Sequence, residues 1–298
     1  MSIRTAVAAL AVVGTLAASA FAVHADSGYR FTVVASGLSR PTGIAVGGWR
    51  TLYFTEVPTP GVGGGVNGVS SLDLESGDVT LLHQGEPEPT NLAVTKDDEV
   101  YWTCKSAGVI LKMTEDGVTT PVLTGLKKPT GISVSRRGTV YFTEVPMPGV
   151  AGGTNNVSSF DGTTKTIISS GEPEPTDVVV SRDGSLYWTC KSAGVILERQ
   201  HGRTSVLARN LDSPTGIALD KSGRNLYFTE VPTPGVAGKN GGRNKVSVLD
   251  VKTGRVRAIH VGDPEPTDVA VAPDGSVYWT CSSAGVIVEA RPTRRRDD

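Results

Sequence analysis

The sequence predicts an all-β chain in which six four-stranded sheets form a ring, and three observations predict it. The phrase Tyr-Trp-Thr-Cys occurs at 101–104, 187–190 and 278–281, with Tyr-Phe-Thr-Glu-Val-Pro interleaved at 53–58, 141–146 and 227–232. Both phrases fill the same slot, so each long repeat of 86 to 91 residues splits into two similar halves, each of roughly 40 to 47 residues, the period of a propeller blade. Glycine and proline make up 54 of the 298 residues, which favours many turns over long helices. Three pairs of halves give a six-bladed β-propeller built from three tandem two-blade repeats.

Taken in order, residues 1–25 read as a secretory signal peptide. Arg4 is followed by an apolar run from Thr5 to Val23 without an acidic residue, and Val23-His24-Ala25 forms an A-x-A-like cleavage site. The chain is therefore expected to be exported, to the extracellular space or the periplasm, and to begin near Asp26. No later apolar run is long enough to span a bilayer. The propeller is expected over 26–291 and a basic flexible tail over 292–298.

Within a blade the strands are short and are punctuated by turn clusters. In the second half of the first repeat they are expected at Leu92–Thr95, Val100–Thr103, Val109–Met113 and Thr119–Leu123, separated by clusters such as Lys96-Asp97-Asp98 and Glu115-Asp116-Gly117. The ends of the chain supply a further element. The segment from Phe31 to Leu38 matches the fourth-strand phrases that precede the other Pro-Thr-Gly sites, and the last blade runs out after its third strand near Ala290. The N-terminal strand should therefore complete the last blade, close the ring and leave no open sheet end.

The Pro-Thr-Gly-Ile-Ala-Val stretch at 41–46, the Leu-Tyr-Phe-Thr stretch at 52–55 and the Tyr-Trp-Thr-Cys phrase resemble NHL and YWTD repeats. Over nearly the whole mature chain the pattern is similar to the six-bladed calcium-dependent phosphotriesterase-like superfamily, which includes gluconolactonase-like hydrolases. It is more distantly similar to virginiamycin B lyase, a seven-bladed propeller. Enzymes, receptors and scaffolds share this architecture, so the resemblance implies fold more than activity. It also implies a metal-binding Glu at the start of an inner strand.

In an antiparallel blade the chain enters the inner strand on the face where the second strand ends, so the acidic phrases and the second-to-third-strand loops should surround one mouth. Glu88, Glu174 and Glu265 stand just before inner strands, and Asn91, Asp177 and Asp268 follow three residues later. Together they make a cluster of hard oxygen donors suited to Ca²⁺ rather than a softer metal. The corresponding slots in the other blades are Arg40, Lys128 and Ser213, so the same ring reads equally as a belt of exposed ion pairs of little energetic weight. The alternation breaks at Ser213, which makes Glu174 and Glu265, on either side of it, the candidate metal ligands. The loop from Glu230 to Asn244 is longer than its two counterparts and carries Lys239 and Arg243, while Ser282 replaces Lys105 and Lys191.

Cys104, Cys190 and Cys281 end second strands, and the blade geometry puts them about 17 to 20 Å apart. That is too far for disulfides or a shared metal, so they should be buried apolar residues between blades. Glu56, Glu144 and Glu230 fill the same slot in the other blades and should accept hydrogen bonds from the amides of the Val-Pro-x-Pro-Gly-Val-x-Gly loops. His83, His201 and His260 fall on outer strands, and no Ser-His pair or phosphate loop is present.

Lys and Arg total 29 against 30 Asp and Glu, without a basic stripe, which argues against a nucleic-acid partner. The expectation is a monomer holding a small molecule, glycan or protein at the top face. The alternatives are a Ca²⁺-dependent lactonase- or esterase-like hydrolase or lyase, in which the metal polarises a carbonyl, and a non-catalytic scaffold.

Overall fold

The computed structural model describes residues 28–48, 50–58, 65–146, 154–232 and 243–293. The proposed signal segment, most of the loop from Glu230 to Asn244 and nearly all of the basic tail lie outside these residues. The chain forms 24 strands in six four-stranded antiparallel sheets, with no helix among the described residues.

Strand β1 (Tyr29–Ala35) comes first. Blade one is β2 (Pro41–Val46), β3 (Thr51–Glu56), β4 (Gly68–Asp73) and β5 (Val79–Gln84); blade two is β6 (Pro89–Val94), β7 (Val100–Cys104), β8 (Val109–Met113) and β9 (Thr119–Leu123). Blade three is β10 (Pro129–Val134), β11 (Val140–Glu144), β12 (Asn156–Phe160) and β13 (Lys165–Ser170); blade four is β14 (Pro175–Val180), β15 (Leu186–Cys190), β16 (Val195–Gln200) and β17 (Arg203–Ala208). Blade five is β18 (Pro214–Leu219), β19 (Asn225–Glu230), β20 (Lys245–Asp250) and β21 (Val256–Val261), and blade six contributes β22 (Pro266–Val271), β23 (Val277–Cys281) and β24 (Val286–Pro292). As expected, β1 pairs with β24, from Tyr29 against Pro292 to Ala35 against Ile287, and completes blade six.

Each inner strand begins at its proline, three residues earlier than the sequence placed the blade-two strand. Pro89 already faces Cys104, and a register irregularity separates that pair from Leu92 against Trp102. One extra residue on the inner strand at this irregularity leaves Thr90 and Asn91 outside the regular pairing.

Apolar side chains alternate into the spaces between blades. Trp102, Trp188 and Trp279 are completely buried, as are Phe54, Phe142 and Phe228 in the intervening blades. The three cysteines are free and fully buried beside the tryptophans, and burial pushes the Cys104 and Cys190 thiols up to about 12 and raises Cys281 as well. They behave as small apolar residues.

A circumferential belt of hydroxyls holds neighbouring blades together. The second-strand threonines Thr55, Thr103, Thr143, Thr189, Thr229 and Thr280 each donate to a carbonyl of the next inner strand at 2.7–3.3 Å, and the last, Thr280 to Thr42, closes the circle. Each also accepts an amide from its own blade, for example Gly43 N–H to Thr55 at 2.8 Å. Every one of these threonines is fully buried, so the belt satisfies groups that would otherwise be costly at the axis.

Candidate functional site

The rim of the mouth is set by six residues that precede the inner-strand prolines. Arg40, Glu88, Lys128, Glu174, Ser213 and Glu265 all adopt left-handed backbone angles, with φ between 51° and 57°. That conformation is unfavourable for a side-chain-bearing residue and is held by an external contact. In each blade the amide after the second strand donates to the carbonyl of this residue, from Lys105 to Glu88 at 3.0 Å to Val231 to Ser213 at 3.3 Å.

The side chains at the rim are not equivalent. Glu88 pairs with Lys105 at 3.1 Å and accepts the Ser106 hydroxyl. Its partial burial alone would raise its pKa, but Ser106, Lys105 and the nearby Lys128 outweigh burial and hold it below the ordinary carboxylate range. Glu174 accepts the Ser192 hydroxyl and lies 3.9 Å from Lys191. Glu265 has no ion pair or hydrogen bond to its side chain among the described residues. Where the other repeats carry lysine, Ser282 donates its amide to the Glu265 carbonyl at 3.0 Å, and its buried hydroxyl has no partner.

Below the rim, Asn91, Asp177 and Asp268 converge. They line an axial cavity of about 330 Å³ together with the inner-strand threonines and Lys105, Glu174 and Lys191. Asp177 accepts the Val178 amide at 2.8 Å and, across the blade boundary, the Ile217 amide at 2.9 Å. Asp268 does the same with Val269 and Ile44, both at 2.8 Å, so its carboxylate ties blade six to blade one at the seam of the ring. Asn91 Oδ1 accepts the Leu92 amide at 2.6 Å, and the Asn91 side-chain NH₂ donates to Asp177.

The two aspartates are close enough for each carboxyl to feel the other's charge. Burial raises the pKa of both, and the neighbouring Asp268 charge raises that of Asp177 further. Two carboxylates this close and this dry cannot both ionise without a compensating charge, so the pair retains one proton or takes up a cation. The floor offers only hard oxygen donors, which fit a proton or a hard cation such as Ca²⁺. Among the described residues, no group of three or more His, Cys, Asp or Glu side chains is arranged to hold a metal ion.

Local sequence explains why the floor can form. In the alternate blades the residue after Pro-Thr is Gly43, Gly131 or Gly216, and each packs against the Asx residue of the following blade. A Cβ on Gly43 would lie 2.7 Å from the Asn91 Cα, and on Gly131 and Gly216 it would run still closer into Asp177 and Asp268. The alternation Gly, Asn, Gly, Asp, Gly, Asp along the inner strands is the signal that sequence reasoning missed, along with the six threonines of the wall. The sequence had the Asx residues at the mouth beside the glutamates; the structure sets them deeper, at the axis and nearly buried.

The other candidates are structural. Glu230 accepts the Asp212 amide at 2.8 Å and the Ser247 hydroxyl at 2.9 Å; Glu56 and Glu144 accept the amides of Ser39 and Lys127 at 2.7 and 2.9 Å. These donors sit in the segment entering the inner strand; most of the Val-Pro-x-Pro-Gly loops that the sequence suggested lie outside the described residues. The entering segment passes over the end of the second strand, which brings its amides onto these carboxylates. Lys165 also reaches Glu144 at 2.6 Å. His83 and His260 pack on Trp102 and Trp279, with ring centroids 5.2 and 5.7 Å apart, away from the axis.

No family model matches the chain, and no curated protein sequence matches it. Solved propeller structures resemble this six-bladed ring in fold. A gluconolactonase from Xanthomonas campestris superposes with a TM-score of 0.69 at 18% identity, covering 88% of this chain and 89% of that one. A streptogramin B lyase gives 0.63 at 20% identity, covering 88% and 97%, and a nidogen–laminin complex gives 0.61 at 19%, covering 74% and 80%. At these identities the likeness is one of fold.

Proposed function

We propose that this protein is an exported propeller that binds a small polar ligand in its axial mouth. Asn91, Asp177 and Asp268 form the floor, and Lys105, Glu174 and Lys191 stand in the wall. The observation that carries this reading is the pair of buried, interacting carboxyls, Asp177 and Asp268, that line an open cavity of about 330 Å³. Such a pair responds to whatever enters, because a cation or a hydrogen-bond donor on the ligand can take over the role of the shared proton. Ca²⁺ is the proposed cation, with Asp177, Asp268 and Asn91 as donors; Glu174 and Glu265 at the rim are the proposed outer ligands.

A second reading, a lactonase- or esterase-like hydrolase or a lyase, is favoured by the same pair. A carboxyl held protonated toward neutrality is a general acid, and its partner is a base. The gluconolactonase and streptogramin lyase folds are consistent with that chemistry. A bound cation would supply carbonyl polarisation.

Elemental mass spectrometry of the purified protein, with thermal melting before and after chelation, tests the first reading. Bound Ca²⁺ that is lost in Asp177→Asn supports it; absence of metal together with no melting shift on adding Ca²⁺, sugars or lactones counts against it. Turnover of lactone or ester panels that disappears in Asp268→Asn separates the enzyme from the binding protein.

A further inference from the structure

The face opposite the mouth is electrically divided. The connections of blades one and two on that face, residues 47–50, 74–78, 95–99 and 114–118, hold seven acidic and two basic residues. Those of blades three to five, residues 135–139, 161–164, 181–185, 201–202, 220–224 and 251–255, hold seven basic and three acidic. Glu75, Asp78, Asp97, Glu115 and Asp116 are exposed on one side, and Arg136, Arg137, Arg182, Lys221 and Lys252 on the other. On the basic side Asp161, Asp183 and Asp220 each accept a local hydrogen bond and stay charged, so seven basic against three acidic residues leave that side net positive.

We propose that this face pairs with a second copy of the chain, in place of the monomer expected from sequence. A two-fold axis lying in the contact plane, perpendicular to the line from blade two to blade five, brings blade two onto the partner's blade five and blade five onto its blade two. The five acidic residues of the blade-two connections (Asp97, Asp98, Glu99, Glu115 and Asp116) then meet the four basic ones of blade five (Lys221, Arg224, Lys252 and Arg255) at both ends of the contact, the self-complementary arrangement a two-fold interface requires. A single acidic or basic partner would match only half of the face and be repelled by the other half. Both mouths point outward in the pair, so association is independent of ligand binding.

The contact is electrostatic and therefore salt-dependent, since the Debye length falls from about 30 Å at 0.01 M salt to about 3 Å at 1 M. Sedimentation equilibrium of the mature protein is expected to show a dimer at about 10 mM salt that weakens by about ten-fold or more at about 0.5 M. Arg182→Glu with Lys221→Glu and Lys252→Glu should abolish the dimer, and so should Asp78→Lys with Asp97→Lys and Glu115→Lys. Mixing the two variants should restore a one-to-one pair, because one face is then net acidic and the other net basic. All six positions lie on exposed turns, and unchanged melting curves check that both variants fold. A monomer at every concentration in low salt, a dimer indifferent to salt, or mixed variants that fail to pair would each overturn the proposal.

Discussion

Replacing Asp268 by asparagine probes the floor of the mouth most directly. In the metal-free wild type, burial holds the pair's proton well above the ordinary carboxylate range, with Asp268 at about 7. The unfolded chain releases that proton near pH 4. Between these limits the folded state binds more protons than the unfolded state, so stability falls as pH rises. The slope reaches about 1.4 kcal/mol per pH unit for one proton, and over roughly three units the loss approaches about 4 kcal/mol as an upper limit. At roughly 2–4 °C per kcal/mol for a domain of this size, melting should drop by roughly 8–16 °C between pH 4 and pH 7 at that limit.

Burial still raises Asp177 in Asp268→Asn, but the variant removes the Asp268 proton and the charge that raises Asp177 further, so the slope should flatten. Asn91 already occupies the equivalent slot in blade two, so the amide fits sterically. The variant cannot accept the Ile44 amide with its NH₂ group, however, and that lost bond should cost about 1–3 kcal/mol at low pH. Melting curves from pH 4 to 8 in the presence of chelator would therefore show a less stable but flatter variant that converges on the wild type near neutral pH. A wild-type curve that is flat or rises over this window, or a variant with an unchanged slope, would refute the shared-proton floor.

Gly216→Ala should be costly, by roughly 1–3 kcal/mol or more in urea unfolding, because its Cβ meets the Asp268 backbone and carboxylate. Glu230→Ala strands the Asp212 amide and the Ser247 hydroxyl and should lose about 2–3 kcal/mol, whereas Glu88→Gln at the half-exposed rim should change stability by less than about 1 kcal/mol. The three thiols should resist an aromatic disulfide reagent in the native state and react together on unfolding, since each is fully buried. Rapid native labelling would contradict the buried inter-blade assignment.

The ring itself was legible because its determinants are local and repeated. Turn clusters such as Lys96-Asp97-Asp98 mark strand boundaries, and the match between Phe31–Leu38 and the other fourth strands identifies the closing strand. The cysteines were legible for the same reason, since their distance follows from blade geometry. The floor was not, because the partner of Asp268 is Ile44, 224 positions away, and the partner of Asp177 is Ile217 in the next blade. Nor could spacing tell that Glu56, Glu144 and Glu230 take their hydrogen bonds from the entering segment. That choice depends on how tightly the chain turns through the left-handed residue before each proline.

The repeats also explain why the floor carries an odd charge. Strict triplication would place the same residue at 91, 177 and 268. Three aspartates would crowd a third buried carboxyl against the pair and require a second proton or a more highly charged ion. Asn91 avoids this by donating to Asp177, leaving two acids and one proton's worth of charge to balance. The rim departs from symmetry in the same direction: lysine serves Glu88 and Glu174, but with Ser282 in that slot Glu265 has no counter-ion among the described residues. Blade six thus holds both the carboxylate at the ring seam and the least neutralised carboxylate of the rim. An incoming cationic or hydrogen-bond-donating group would find uncompensated acceptors there, and the two better-paired sectors would serve chiefly to hold the mouth open.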